Sequence, residues 1–123
     1  MKNIVIFGAT GDLCRRKLIP ALYTLHKKGL LPKGLKITGA SRTQHSKESW
    51  IEVLGNSYSQ EFIKRLDYVP CDLSDAESLK LLDSSEDTTY FLSVPPERYA
   101  DAITNLKEAG KVDDAEKSRV IIE

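Results

Sequence analysis

The 123-residue sequence has few of the features that mark membrane, secreted or nucleic-acid-binding proteins. It has two cysteines, Cys14 and Cys71, which are too few for a disulfide framework, so we expect a reduced cytoplasmic setting. No apolar run approaches the roughly 20 residues that cross a bilayer, and the N-terminus lacks the long apolar segment of a signal peptide. The 18 basic and 18 acidic residues balance, which argues against nucleic acid as the main partner.

Histidine is also scarce, which limits metal chemistry. His26 and His45 are the only histidines, and neither has a cysteine, histidine or carboxylate partner at zinc-ligand spacing. We therefore expect no metal site. The length suits one domain over residues 1–123 and is sufficient to bury a core.

The sequence does contain a regular alternation of strand-like apolar runs with helical patterns. The runs rich in β-branched and aromatic residues predict about five strands, at 3–7, 35–41, 66–70, 88–94 and 118–122. Apolar residues at helical spacing predict helices at about 12–28, 46–54, 61–66, 74–83 and 96–110. This alternation predicts an α/β fold, a doubly wound parallel sheet of Rossmann type with right-handed crossovers and strand order 3-2-1-4-5.

Several residues predict where helices begin or end. Pro20 cannot donate to the carbonyl of Arg16, which predicts a short first helix, a break and a second helix from about Pro20 onward. Gly29 is a natural cap for the end of that second helix. Ser74 and Glu77 have capping-box spacing, which predicts Ser74 as an N-cap.

The first strand leads directly into a glycine turn, which is the clearest indication of a ligand. The residues after Phe7 are Gly8, Ala9, Thr10, Gly11, Asp12 and Leu13. Glycine lets the backbone approach a ligand closely, and free N–H groups at a helix start attract a phosphate. The spacing meets the dinucleotide fingerprint G-x-G-x-x-G only in part, so a tight turn without a ligand is the alternative.

The residue after the second strand bears on which dinucleotide would bind. An NAD site usually has an acid there for the ribose 2′-hydroxyl, whereas an NADP site accepts an arginine for the 2′-phosphate. Arg42 occupies this place between Ser41 and Thr43, and no acid occurs between Gly39 and Gln44. These residues favour NADP, and the alternative is an ordinary surface arginine.

Several of these segments together resemble the N-terminal part of the glucose-6-phosphate dehydrogenase family. The segments that carry the resemblance are, in chain order, 7–13, 16–23, 28–32, 39–42, 90–96 and 120–123. Phe-Gly-Ala-Thr-Gly-Asp-Leu at 7–13 and Ser-Val-Pro-Pro at 93–96 form a specific combination, and the match follows nearly the whole chain in order. Cys14 departs from the family, which usually has alanine there.

The resemblance implies a coenzyme-binding domain for the oxidation of glucose 6-phosphate with NADP or NAD, a step of glucose metabolism in the pentose phosphate pathway. It implies that the turn at residues 8–13 binds the diphosphate and that Arg42 contacts the 2′-phosphate. The residues that would form a wall beside the nicotinamide half are Ser93, Val94 and Pro95. Lys17 is similar to a family lysine at the edge of the active site.

The resemblance also implies what these 123 residues lack. The family's catalytic histidine and large substrate domain have no counterpart in the sequence, so no residue is assigned as the base that hydride transfer requires. We expect a domain that binds the coenzyme without turning over substrate by itself. The alternative is a non-catalytic NADP-sensing or interaction module with the same fold. An uncovered sheet edge at the fifth strand would allow self-association.

Overall fold

The computed structural model describes residues 2–55, 57–82, 87–111 and 118–122. Within these ranges the strands are β1 (Asn3–Phe7), β2 (Lys36–Ser41), β3 (Leu66–Pro70), β4 (Thr88–Leu92) and β5 (Ser118–Ile122). The α-helices are α1 (Ile19–Lys27), α2 (Lys47–Leu54), α3 (Gln60–Ile63), α4 (Ala76–Leu79) and α5 (Tyr99–Glu108). A π-helical turn at Cys14–Leu18 precedes α1, and a 3₁₀ turn at Pro96–Arg98 precedes α5.

The strands form one parallel sheet in the order β3-β2-β1-β4-β5, which confirms the predicted fold class and strand order. Phe7 at the end of β1 pairs with Ala40 of β2 and with Leu92 of β4. The carboxyl ends of these three strands therefore meet at the same edge of the sheet. Among the described strands β5 pairs with β4 alone, and self-association through its other edge stays a prediction.

Helices cover both faces of the sheet, and this is why β1 is apolar from Ile4 to Phe7. Ile6 lies in a buried cluster with Trp50 of α2. Its neighbour Phe7 points to the opposite face and lies in a second buried cluster with Leu79 of α4 and Leu106 of α5. A parallel strand with helices on both sides has no face for polar residues, so the run has no polar alternation.

At the break predicted near Pro20, the structure has a π-helical turn that is followed directly by α1. Pro20 lies in the first turn of α1, directly after the π-helical turn, in which the Ile19 N–H donates to the Cys14 carbonyl. A wide turn of this kind changes the hydrogen-bond spacing of the helix where proline offers no donor, so the chain need not leave the helix. Gly29 follows the end of α1 with a φ of 69°, as expected of a glycine cap.

The prediction that Ser74 is an N-cap is wrong. Asp75 caps α4 instead, and its carboxylate accepts a hydrogen bond from the Glu77 N–H at 3.1 Å. The Ser74 hydroxyl donates to the Asp72 carboxylate at 2.7 Å, because a charged oxygen is a stronger acceptor and lies within reach. The helix ends at Leu79, before the predicted end near residue 83, which lies outside the described residues.

Other boundaries differ from the predictions by a few residues. α3 ends at Ile63 and not at Leu66, because Leu66 pairs with Ile37 as the first residue of β3. β4 ends at Leu92, short of the predicted end at residue 94. Over the ranges that the model describes, no helix is long and apolar enough to span a membrane, and no cluster of three or more metal-binding side chains occurs.

Candidate functional site

A cleft opens at the carboxyl edge of the sheet where the strand order reverses. β2 lies on one side of β1 and β4 lies on the other. The connection after β1 therefore runs to one side of the sheet, and the connection after β4 runs to the other. Parallel α/β sheets bind their ligands at such switch points. The residues that line the cleft are Phe7, Gly8, Thr10, Gly11, Ala40, Ser41, Arg42, Thr43, Cys71, Leu73, Ser93, Val94, Pro95 and Arg98.

The glycine turn places peptide backbone at the surface of this cleft. The Gly8 N–H donates to the Ala40 carbonyl at 3.0 Å, and the Gly11 N–H donates to the Gly8 carbonyl at 3.0 Å. Gly8 has a φ of 81°, and a Cβ at this position would lie 2.0 Å from the carbonyl oxygen of Ser93. Only glycine fits where the ends of β1 and β4 approach so closely.

Trp50 fixes the turn from the side of the core. Its indole Nε1–H donates to the Ala9 carbonyl at 3.0 Å, and both residues are buried. The Ala9 carbonyl and the Thr10 N–H belong to the same planar peptide unit and point in opposite directions. Because Trp50 holds the carbonyl toward the core, the Thr10 N–H points away from it. This role of Trp50 was not predicted from the sequence, because it depends on a contact between residues far apart in the chain.

Backbone N–H groups without an acceptor in the described part of the chain lie at the start of the first helical segment. In the described part of the chain, neither the Thr10 N–H nor the Asp12 N–H donates to a protein acceptor. The Arg15 N–H donates to the Gly11 carbonyl at 3.2 Å, which places the start of the helical hydrogen bonds at Gly11. Free N–H groups at a helix start attract phosphate, so the turn has the chemistry of an anion site.

The loop after β2 forms a second part of the cleft and is held by Tyr68. The Tyr68 hydroxyl donates to the Thr43 carbonyl at 2.7 Å, so in its 2.5 Å contact with Ser41 the serine hydroxyl is the donor. Burial raises the pKa of Tyr68, which keeps the phenol protonated. The side chain of Arg42 extends from this fixed loop and is exposed, and it has no ion-pair partner among the described residues.

Five lining residues were not predicted as site residues: Phe7 and Ala40 on the strands themselves, and Cys71, Leu73 and Arg98 after them. Burial raises the pKa of the Cys71 thiol to about 11, with a smaller effect from the charge of Asp72. A neutral thiol is a poor nucleophile, so Cys71 and Leu73 act as apolar wall. The predicted strand order already places the end of β3 at this edge of the sheet. The residues after Pro70 could therefore have been predicted as part of the site.

An ion pair between Asp72 and Arg98 joins the segment after β3 to the 3₁₀ turn before α5. Arg98 Nη2 lies 3.8 Å from Asp72 Oδ1. The same oxygen accepts hydrogen bonds from the Ser74 N–H at 2.9 Å and from the Ser74 hydroxyl at 2.7 Å. These hydrogen bonds, followed by the charges of Arg42 and Arg98, hold the pKa of Asp72 below its ordinary value. The carboxylate is therefore ionised at neutral pH.

Four of the predicted site residues do not line the cleft. Ala9 is buried, and Leu13 lines an adjoining depression that shares residues 93–95 with the cleft. The Asp12 carboxylate is exposed and accepts a hydrogen bond from Arg15 at 2.8 Å, which lowers the pKa of Asp12. Lys17 lies on the exposed surface of the π-helical turn. Their roles in binding stay predictions.

The chain also matches a known protein family over most of its length. Residues 5–123 match the family model described as "Glucose-6-phosphate dehydrogenase, NAD binding domain". The chain belongs to the glucose-6-phosphate dehydrogenase family. The resemblance drawn from the sequence is thereby confirmed, and the matched part is the nicotinamide dinucleotide-binding domain of that family.

Individual glucose-6-phosphate dehydrogenases agree with this assignment. Glucose-6-phosphate 1-dehydrogenase of Gluconobacter oxydans is 34% identical over 98% of this chain, and that of Dickeya dadantii is 32% identical over 98%. The crystal structure of the enzyme from Mycobacterium avium superposes with a TM-score of 0.82 at 25% identity, covering 98% of this chain and 29% of that one. The chain spans 29% and 28% of the lengths of the first two relatives, which is less than a third.

Proposed function

We propose that the cleft binds NADP, with the 2′-phosphate at Arg42 and the diphosphate at the glycine turn. The observation that carries the proposal is the charge at the end of β2. Arg42 lines the cleft with Ser41 and Thr43, and its guanidinium is left without an acidic partner in the described part of the chain. NAD sites place an acid at this point to bind the ribose 2′-hydroxyl, and here the position is cationic.

The glycine turn fits a diphosphate on two counts. Gly8 and Gly11 line the cleft and carry no side chain, so their backbone is open to a ligand, and at Gly8 the Ser93 carbonyl leaves no space for a Cβ. The Thr10 N–H, turned away from the core by Trp50, has no protein acceptor in the described chain and supplies a donor for a phosphate oxygen.

The segment after β4 lies where the nicotinamide half would extend from the diphosphate. Ser93, Val94 and Pro95 line both the cleft and the adjoining depression that contains Leu13. The bound coenzyme would supply a hydride acceptor, and the residues of this chain would bind it, orient it and shield one of its sides. Lys17 at the edge of the active site is part of the same proposal.

Substituting alanine for Arg42 is expected to weaken NADP binding selectively. Losing a charge-assisted contact with the 2′-phosphate should cost about 1.5–3 kcal/mol, or roughly 10- to 150-fold in affinity, whereas NAD affinity should change little. Isothermal titration calorimetry with both coenzymes measures the two effects. Arg16→Ala is the matched control, because Arg16 is an exposed arginine that does not line the cleft. Equal affinities for the two coenzymes that Arg42→Ala leaves unchanged would overturn the NADP assignment.

The proposal extends to the activity of a whole family member, the oxidation of glucose 6-phosphate in a reducing cytoplasm. In that activity the residues of this chain would supply the coenzyme site. No lining residue of the cleft is a histidine or carboxylate, and Cys71 is a neutral thiol. Hydride transfer needs a base for the sugar hydroxyl proton. We therefore expect the 123-residue chain to show no protein-dependent reduction of NADP by glucose 6-phosphate, followed at the absorbance band of reduced nicotinamide. Turnover by a homogeneous sample would contradict this and would direct attention to Lys17.

A further inference from the structure

Arg98 lines the same cleft as Arg42 and places a second guanidinium there, near Asp72. It belongs to the 3₁₀ turn before α5 and reaches the cleft from the β4 side, whereas Arg42 reaches it from the β2 side. Asp72, after β3, lies 3.8 Å from Arg98, and its carboxylate is influenced by the charges of both arginines. Both arginines therefore line one cleft and act on the same carboxylate.

The pairing with Asp72 leaves Arg98 able to bind a ligand. A separation of 3.8 Å between nitrogen and oxygen is too long for a hydrogen bond, so the guanidinium donors are not used by Asp72. The acid is instead held by two hydrogen bonds from Ser74, at 2.9 and 2.7 Å. The side chains of Arg98 and Asp72 are each 34% exposed, so neither becomes a buried unpaired charge when Arg98 contacts a ligand.

We propose that Arg98 binds the 2′-phosphate of the coenzyme together with Arg42, an inference that rests on the proposed function. A phosphate monoester carries a charge of about −1.5 to −2 at neutral pH, which a single guanidinium does not neutralise. Arginine presents paired donors that match phosphate oxygens. Asp72 balances one of the two cations in the free protein, so the region carries a net positive charge without strong repulsion between the arginines.

The test compares two probes that differ only in the group at issue. Adenosine 2′,5′-bisphosphate contains the 2′-phosphate, and adenosine 5′-monophosphate lacks it. For Arg98→Gln we expect calorimetry to show about a tenfold loss of affinity for the bisphosphate and no change for the monophosphate. Arg98→Lys, which keeps the charge but not the paired donors, should show a smaller loss, and Arg16→Gln should show none. Arg98→Lys also serves as the test variant if thermal melting shows that Arg98→Gln disturbs the fold.

These titrations distinguish a failure of the Arg98 inference from a failure of the NADP assignment. Equal losses for the two probes would place Arg98 on the adenosine or the 5′-phosphate, and wild-type affinity for both would remove it from the site, so either result overturns the proposal. If Arg42→Ala reduces the preference for the bisphosphate and Arg98→Gln leaves it at the wild-type value, the inference alone fails. If the wild-type chain shows no preference between the probes, the assignment of NADP fails and the inference fails with it.

Discussion

Substituting alanine for Gly8 is expected to lower the free energy of unfolding by about 2–5 kcal/mol and to abolish coenzyme binding. The left-handed φ of 81° costs an alanine about 1–2 kcal/mol. The new Cβ would also lie 2.0 Å from the Ser93 carbonyl oxygen, which is backbone and moves only with the end of β4. Such overpacking costs about 1–3 kcal/mol more and displaces the turn from its position in the cleft. Urea denaturation and coenzyme titration measure the two effects.

Gly34→Ala is the matched control for this substitution. Gly34 has a φ of 80° but is exposed, and a Cβ there would meet no atom within 4 Å. Its replacement should cost only the backbone term of about 1–2 kcal/mol and should leave coenzyme affinity unchanged. The difference between the two variants isolates the close approach of β1 to β4. Equal losses of stability would contradict that close approach.

Replacing Trp50 with alanine is expected to have the largest effect on stability, about 3–5 kcal/mol, because it leaves a cavity beneath the sheet. Trp50→Phe keeps an aromatic ring and removes the donor to the Ala9 carbonyl, which is then buried without this partner. We expect a cost of about 1–3 kcal/mol for that variant. It should also weaken coenzyme binding, since the peptide that presents the Thr10 N–H is no longer fixed. Denaturation and calorimetry on the same samples separate the two consequences.

Gly39 offers an internal control for the position of the indole ring. A Cβ on Gly39 would lie 2.5 Å from Trp50 Cζ2, so Gly39→Ala should cost about 1–3 kcal/mol in the wild-type background. In the Trp50→Ala background the ring is gone, and the same substitution should cost much less. Strict additivity of the two substitutions would mean that the indole does not pack on Gly39.

The sheet was predictable from the sequence because its strands are short apolar runs with helical patterns between them. Helices on both faces make β1 apolar from Ile4 to Phe7, and this continuous burial is visible in the sequence as an unbroken apolar run. The alternation predicted a parallel sheet with right-handed crossovers, and the order 3-2-1-4-5 was predicted as that of a Rossmann-like fold. The hydrogen-bond partners of individual side chains were harder to predict from the sequence. Ser74 had the pattern of an N-cap, but its hydroxyl donates to the Asp72 carboxylate.

The candidate site was predictable where it follows the chain and not where it depends on packing. The glycine turn and the loop at Arg42 directly follow buried strands, so their position at the carboxyl edge could be inferred. Trp50 gave no such signal, because its hydrogen bond joins residues 41 positions apart. Arg98 lies in the cleft only because the 3₁₀ turn before α5 brings it toward Asp72, and sequence spacing does not specify that approach.

The most direct test of the cleft as the coenzyme site is a titration of the isotope-labelled chain with NADP, followed through backbone amide resonances by NMR. We expect saturable shifts at Gly8, Thr10 and Gly11, in the loop around Arg42, and at Ser93. The amides of Arg16 and Gly55, which border a separate surface depression, should not move. Absence of saturable shifts, or shifts confined to that depression, would contradict the assignment of this cleft as the coenzyme site.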